Sequence, residues 1–583
     1  MGVSEAKELM NVALGAAKAD LAVVNARLMN VYTGELLEKQ TVTVKGKWIA
    51  SVGGDSNGAI GAGTTVIDAG GKTLIPGLID GHIHLSPLFN VSEFLKYAIK
   101  GGTTAMVSET LEYFPMGGYE GVLDFLASYH NQPVKIFATA PSMVSISNAC
   151  RGISLETLRK LLERDDIIGL GESYWQALIQ NPDSLLPLYE ETLRSGKTVE
   201  GHSAGASGKK LMAYVAAGVS SCHEPIAAGE VLERLRLGIN VMIREGSIRR
   251  DLEAIATIKD SGAQLRRLTV VSDGIDPEDL LKKGYMEFVV QKAIDCGFDP
   301  VTAVQMATIN VAEHFSLSGL IGGIAPGRYA DMLIIPDERT IRPNYVISNG
   351  CIVAKDGEIL VPPRQHTFAQ RSLNSVHLPS PMTDADFRIT ASGGTSSVRV
   401  RIIDQVTELV TAELLTDVPA SGGEIKADSE KDLIKVAAID RTHNPGKRFV
   451  GLIRGFRMRS GAIASSAAWD TSDIIVVGAN DADMAAAVNR IRELQGGTVV
   501  CEGGKILVEI PMPVLGLISD LPMETLAEKM KEVRTAAARL GVPFANPFLT
   551  LITLTGSAIP YLRICEEGLV NLKDGKTVGL FVD

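Results

Sequence analysis

The sequence predicts an α/β protein: a (β/α)8 TIM-like barrel, a small β-domain built from segments flanking the barrel, and an additional C-terminal α/β domain. Three observations predict it. Short apolar strand candidates alternate with helical stretches from about Ile75 to Leu317, roughly 240 residues, which is the size and rhythm of such a barrel. Hairpin-like patterning lies on both sides of that stretch. A polar, Pro/Ser-rich segment then precedes a further run of strand and helix signals. The 583 residues divide on this reading into 1–74 and 323–361 for the small β-domain, 75–322 for the barrel, 362–386 for a linker and 387–583 for the C-terminal domain.

Each element has its own signal. ADLAVVNARLMNV, a turn at Thr33-Gly34-Glu35 and QTVTVKGKWIASVG alternate as hairpins do, and ADMLIIPD with YVISNGCIVAKDGEIL repeats the pattern some 250 residues later. Between them lie the strand candidates Thr104–Glu109, Val134–Ala140, Ile167–Glu172, Thr198–His202, Asn240–Glu245 and Leu268–Asp273. LETLRKLLERDD, SLLPLYEETLRSG and KKLMAYVAAG read as helices. A doubly wound sheet is the alternative, disfavoured because no GxGxxG opens a helix after an early strand. Late in the chain, DIIVVGANDADMAAAVNRIRELQGG reads as a strand, a helix starting at Asn480-Asp481 and an end at Gly496. GTVVCEGGKILVEIPM reads as a hairpin turning at Gly503-Gly504.

Composition narrows the class. Hydrophobic residues are 45% and charged residues 21%, the balance of a soluble globular chain. Lys+Arg 57 against Asp+Glu 68 gives a net charge of −11 without a basic cluster, so no nucleic-acid partner is expected. Six scattered cysteines without a CxxC pair argue against a disulfide scaffold or thiolate zinc site and fit a reducing cytoplasm. MGVSEAKELM lacks the basic start and apolar core of a signal peptide, and no apolar run approaches the ~20 residues of a bilayer span.

The sharpest chemical signal is Pro76-Gly77-Leu78-Ile79-Asp80-Gly81-His82-Ile83-His84. Residues i and i+2 of a strand share a side, so His82 and His84 project together, where two imidazoles can grip a metal ion. An HxH pair alone is ambiguous. Here Glu172, His202, His223 and Asp273 follow at or just after the C-terminal ends of later strands, the face on which barrel enzymes place their chemistry. Four of the nine histidines fall in this set; His130, His314, His366, His377 and His443 read as surface residues.

The order HxH, strand-4 carboxylate, His, His, Asp resembles the amidohydrolase superfamily and, within it, the family of prokaryotic adenine deaminases. PGLIDGHIHL, EGHSAGASGKKLMAYVAAGVSSCHE, MIREGS, MATINVAEHF, GGIAPGRYADM, RSGAIASSAAWD and GLISDLPME carry the resemblance over nearly the full length. It implies a binuclear divalent metal centre of Mn, Fe or Zn. His82, His84 and Asp273 would hold one ion and His202 and His223 the other, with Glu172 bridging. A hydroxide shared by the ions would attack C6 of adenine, with Asp273 passing its proton to the leaving nitrogen, giving hypoxanthine and ammonia. Glu172, Asp273 and Glu224 are thus the catalytic candidates. Glu224 orients an imidazole, contacts substrate or makes a strand-end salt bridge. Glu109, Glu112, Arg244 and Glu245 are candidates for binding substrate, with a helix-start carboxylate as the alternative for Glu109 and Glu112. The partner expected is a purine base or related heterocycle, the localisation cytoplasmic and the assembly a homo-oligomer.

The chain departs from the family pattern at Leu111, where the family has His; at Gly274-Ile275-Asp276, in place of Asp-Arg-His; and at Ala468-Trp469-Asp470-Thr471-Ser472-Asp473, where two histidines are lost. A site that reads hydrogen bonds discriminates by leaving buried polar groups unpaired, so these positions bear on substrate. The alternatives are another amidohydrolase acting on a cyclic amide, N-acyl or ureido bond, and a non-catalytic homologue, which would have no need of all six ligand-type residues.

Overall fold

Eight short apolar runs form the parallel barrel strands in the computed structural model, which describes residues 1–54, 58–85, 88–142, 145–150, 152–391 and 396–582. They are β1 (Leu78–Ile83), β2 (Thr103–Ser108), β3 (Lys135–Ala140), β4 (Ile167–Tyr174), β5 (Thr198–His202), β6 (Ser221–Cys222), β7 (Asn240–Arg244) and β8 (Leu268–Val271). Both faces of these strands are buried, which explains their near-continuous apolar sequence. β1 to β5 pair in order, as do β6 to β8. The Ser220 N–H donates to Val199 O at 2.9 Å across the β5–β6 seam. At the last seam the Asp273 N–H donates to His82 O at 3.1 Å and the His84 N–H to Asp273 O at 2.7 Å. Two future site segments therefore form the closing stitch of the barrel. Ile79, Ala105, Val107, Ile168, Met242 and Val271 pack together in the barrel's own cluster.

The connecting helices follow their sequence signals. Leu155–Leu162 starts where Ser154 Oγ accepts the Thr157 N–H, and buries Leu158, Leu161 and Leu162. The two hairpin regions meet in one nine-stranded sheet. Thr73–Pro76 pairs antiparallel with Met332–Ile335, Leu74 opposite Ile334, which joins the segments before and after the barrel. Among the described residues no helix is long and apolar enough to cross a membrane.

The C-terminal region is built on an eight-stranded sheet. Its helix Asp481–Leu494 begins with Asn480 accepting the Asp483 N–H. It ends at left-handed Gln495, one residue before the Gly496 that sequence suggests. Gly503 and Gly504 both take positive φ in the hairpin, as a tight two-residue turn requires. This region grips the barrel: Ile518–Ser519 pairs in parallel with Leu88–Phe89.

The Pro/Ser-rich segment is tied down on both sides. Asp124 of the barrel helix Phe114–Tyr129 accepts from the Ala369 N–H and Ser372 Oγ. Arg441, wholly buried, donates to Ser375 O at 2.8 Å, Ser466 O at 3.1 Å and Leu515 O at 2.8 Å. Burial pushes its guanidinium down to about 10. Gly516 is required beside it, because a Cβ there would lie 2.8 Å from the guanidinium carbon. Arg441→Met removes these bonds and leaves buried carbonyls unpaired. We expect a loss of about 2–4 kcal/mol in the unfolding transition of the C-terminal region, measured by urea denaturation.

Candidate metal centre

Glu172 ends up at the focus of the barrel mouth. Its Oε1 lies 3.0 Å from His223 Nε2 and 3.3 Å from both His82 Nε2 and His84 Nε2. Asp273 Oδ1 is 3.5 Å from the same two nitrogens of His82 and His84. Strand parity explains the HxH half of this, since His82 and His84 share a side of β1 and its extension. Asp273 reaches them from a left-handed backbone, φ 64°, just past β8. His202, at the end of β5, stands 3.9 Å from Glu224 Oε1, which is 2.9 Å from His223 Nε2. All six proposed ligands thus converge on one mouth.

Two overlapping groups of donor atoms each lie within 4.8 Å of one another: His82, Glu172, His223 and Asp273, and His202, His223 and Glu224. His82 Nε2 is buried without a hydrogen bond. Imidazole nitrogens and carboxylate oxygens without thiolate form the donor set of a hard or borderline divalent cation. The residues present therefore fit a metal centre.

Glu109 and Glu112 back the first two imidazoles. Glu109 Oε1 is 3.4 Å from His82 Nδ1, and Glu109 Oε2 accepts from Thr139 Oγ1 at 2.7 Å. Glu112 hydrogen-bonds His84 Nδ1. With each Nδ1 engaged, each Nε2 is aimed at Glu172, the arrangement that fixes tautomer and ring orientation in metal sites. Glu112 also lines the cavity, whereas Glu109 is not among its described lining residues. Arg244 reaches Asp273 Oδ2 at 3.4 Å and Asp251 Oδ2 at 3.2 Å. Glu245 is not brought to the centre. Next to Arg244 on β7, it points the opposite way into a separate crevice beside Arg250 and Tyr285.

The electrostatics are those of a cation site. Burial disfavours charge on His82 and His84, but the carboxylates around them outweigh it and hold both well above the ordinary imidazole range. Burial likewise opposes ionisation of Glu172, Glu224 and Asp273, yet imidazoles, with Arg244 at the last two, hold all three below the usual carboxylate range. His202, the most open of the set, is pushed down by burial.

A cavity of about 800 Å³ opens above the centre. The barrel lines one side with His84, Leu111, Glu112, Tyr174 and Arg244. Residues 407–410, Trp469, Asp470 and 558–560 of the C-terminal region line the other. Burial, with Glu172 and Glu112 nearby, pushes the Asp470 carboxyl up to about 7 against the hydrogen bonds from Ser557.

Residues 73–355 match the family model "Amidohydrolase family" and residues 408–576 match "Adenine deaminase C-terminal domain". The chain is 37% identical to an adenine deaminase of Moorella thermoacetica over 98% of both chains. It is 34% identical to one from Clostridium botulinum over 99% of this chain and 98% of the relative, and 36% identical to one from Dehalococcoides mccartyi over 98% of both. The chain belongs to the adenine deaminase family. Membership in the amidohydrolases implies a divalent metal centre, and the donor set above supplies the residues for one.

Of the departures from the family pattern, Leu111 and Trp469 line the cavity. Asp276 instead caps the helix Pro277–Lys283, accepting the Glu278 N–H at 2.8 Å. Ser472 faces inward, donating to Asp440 at 2.8 Å. Three features escaped the sequence reading. Asp80 accepts from Ser272 Oγ at 2.5 Å, Tyr285 OH at 2.6 Å and the His82 N–H at 3.1 Å, and so latches β1 to the segment after β8. Tyr174 OH donates to Glu172 Oε2 at 3.3 Å. His314, read as a surface residue, is instead inside, paired with Glu200 at 2.9 Å. The helix ending at His314 packs its apolar face under the barrel and carries the imidazole in with it.

If Glu112 orients His84, Glu112→Gln weakens metal binding about 10–100-fold without unfolding the chain. Competition with a chromogenic chelator measures this; unchanged affinity counts against the orienting role.

Proposed function

We propose that this protein hydrolyses adenine to hypoxanthine and ammonia at a binuclear divalent centre. The observation that carries the metal count is charge. Glu109, Glu112, Glu172, Glu224 and Asp273 all stand at ion-pair distance from His82, His84 or His223. Arg244 is the guanidinium that reaches Asp273. With the imidazoles neutral, as metal ligation requires, these five carboxylates and Asp251, set against Arg244 and Arg249, leave four negative charges, the amount two divalent ions neutralise. Buried charge uncompensated on this scale costs many kcal/mol, so the arrangement favours paired dications.

His82, His84 and Asp273 would hold one ion, His202 and His223 the other, and Glu172 Oε1 would sit between them. When bound, such ions supply a water activated near neutral pH, its pKa lowered from ~15.7 towards ~7. Mn, Fe and Zn all suit these donors. The chain's own groups do the rest. Asp273 would hold and relay the proton that the departing amino nitrogen needs. Arg244, on Asp273 Oδ2, orients that carboxylate and keeps it ionised. Glu224 aligns His223 and stays anionic among the two imidazoles and Arg244. The wall from the C-terminal region screens the site from bulk water, which strengthens every one of these interactions.

The full-length likeness to adenine deaminases supports adenine as substrate, and the small-molecule cavity agrees in size. A cytoplasmic location and a homo-oligomeric state belong to the same reading.

The test is ammonia release and the ultraviolet shift from adenine to hypoxanthine by metal-loaded protein. Asp273→Asn should lower kcat by about 10²–10⁴-fold, and His82→Ala should abolish turnover with metal content reduced. Substantial activity in either variant contradicts the assignment. Turnover of a cyclic amide or N-acyl substrate with adenine untouched would move the reaction elsewhere in the superfamily.

A further inference from the structure

The C-terminal wall faces the metal-binding side across the cavity, and it carries one feature the mechanism above does not use. Asp470, 4% exposed, is the buried ionisable group among the described residues of that wall; Glu408, which shares it, is exposed. Its place is firmly set. The Ser557 N–H and Oγ–H both donate to Asp470 Oδ2, at 2.8 and 2.9 Å. Ser145 Oγ donates to its carbonyl at 2.5 Å, and its backbone takes the left-handed conformation, φ 59°, that a β-branched residue would resist. No described residue hydrogen-bonds Oδ1. Next to it the Trp469 ring lies 18° from parallel with the His84 ring, centroids 6.4 Å apart, so Trp469 stands across from a metal-side imidazole in the cavity that Asp470 also lines.

We propose that Asp470 selects the free base: its Oδ1 accepts the N–H of the imidazole edge, which a nucleoside or 9-alkylated purine lacks. This rests on the adenine reading above. A purine carries its amino group on the six-membered ring and the ring N–H on the five-membered one. With the amino-bearing carbon held at the metals, the other ring points away from them, toward the wall where Asp470 stands. The Ser557 donors occupy Oδ2 and leave Oδ1 as the acceptor. An N–H donated to Oδ1 favours the ionised carboxylate that burial opposes, a charge-assisted bond among the stronger ones, and losing it leaves both partners unpaired.

Asp470→Asn tests this sharply. Because two donors from Ser557 face the Oδ2 position, the amide oxygen must settle there, and the amide NH2 then takes the Oδ1 position against the ring N–H. KM for adenine and Ki for 9-methyladenine are measured on metal-loaded wild type and variant, with metal content and the circular dichroism melt as controls. The expected result is a KM for adenine raised about tenfold or more, kcat lowered less than about threefold, and Ki for 9-methyladenine unchanged. A role in packing alone would shift adenine and 9-methyladenine together, and that outcome, or an unchanged KM, overturns the inference. If the Asn variant does not fold, Asp470→Ala carries the same comparison, since it also removes the acceptor. Wild-type protein that releases no ammonia from adenine overturns the reading beneath it, a failure visible before any variant is made.

Discussion

Placing five carboxylates and four imidazoles within one buried barrel mouth is a costly arrangement, and the surrounding structure is organised around holding it together. Like-charged groups at these separations repel by several kcal/mol even at an effective dielectric of about 20. The chain meets that cost by dividing the groups among the ends of six barrel strands, β1, β2, β4, β5, β6 and β8. Glu109 and Glu112 brace the imidazoles of His82 and His84 from behind. Asp80, itself buried, binds Ser272 and Tyr285 and so closes the barrel between its first and last strands, at the point where His82, His84 and Asp273 must meet. The barrel's closure and the ligand geometry are one event.

The C-terminal region makes this open mouth into a cavity. It is pinned to the barrel by the Leu88–Phe89 and Ile518–Ser519 strands and by Ser145 on the Asp470 carbonyl, with Arg441 securing the strap that connects the two. A barrel alone would leave the metal face exposed to water on the side now occupied by Trp469 and Asp470. The barrel carries the ligand-type residues, and both regions shape the cavity. Those residues are kept, while two departures from the family pattern, Leu111 of the barrel and Trp469 of the C-terminal region, line its two walls.

Much of this was legible in the sequence, and the parts that were not share a cause. Strand ends and parity are local properties, so PGLIDGHIH, GLGE, TVEGH and LTVVSD announced the barrel and its ligand-type residues. Partner identity is not local. Nothing near Glu109 or Glu112 says whether a carboxylate faces a cavity or the back of an imidazole from another strand. Adjacency groups Glu245 with Arg244, although neighbours along an extended chain point apart. Asp470 lies some 200 residues beyond Asp273 in a loop without periodicity, and only the docking of two sheets reveals what it overlooks. His314 looked like a helix-end surface residue because its buried partner, Glu200, is more than 100 residues earlier.

The proposed chemistry depends on cations held between Glu172 and its ring of imidazoles. Anomalous diffraction from the metal-loaded protein, collected at the absorption edge of the added metal, addresses that directly. Two peaks flanking Glu172 Oε1, one within bonding distance of His82, His84 and Asp273 and the other of His202 and His223, are the expected result. A map with no peak at Glu172, or with its metal bound elsewhere on the chain, would contradict it.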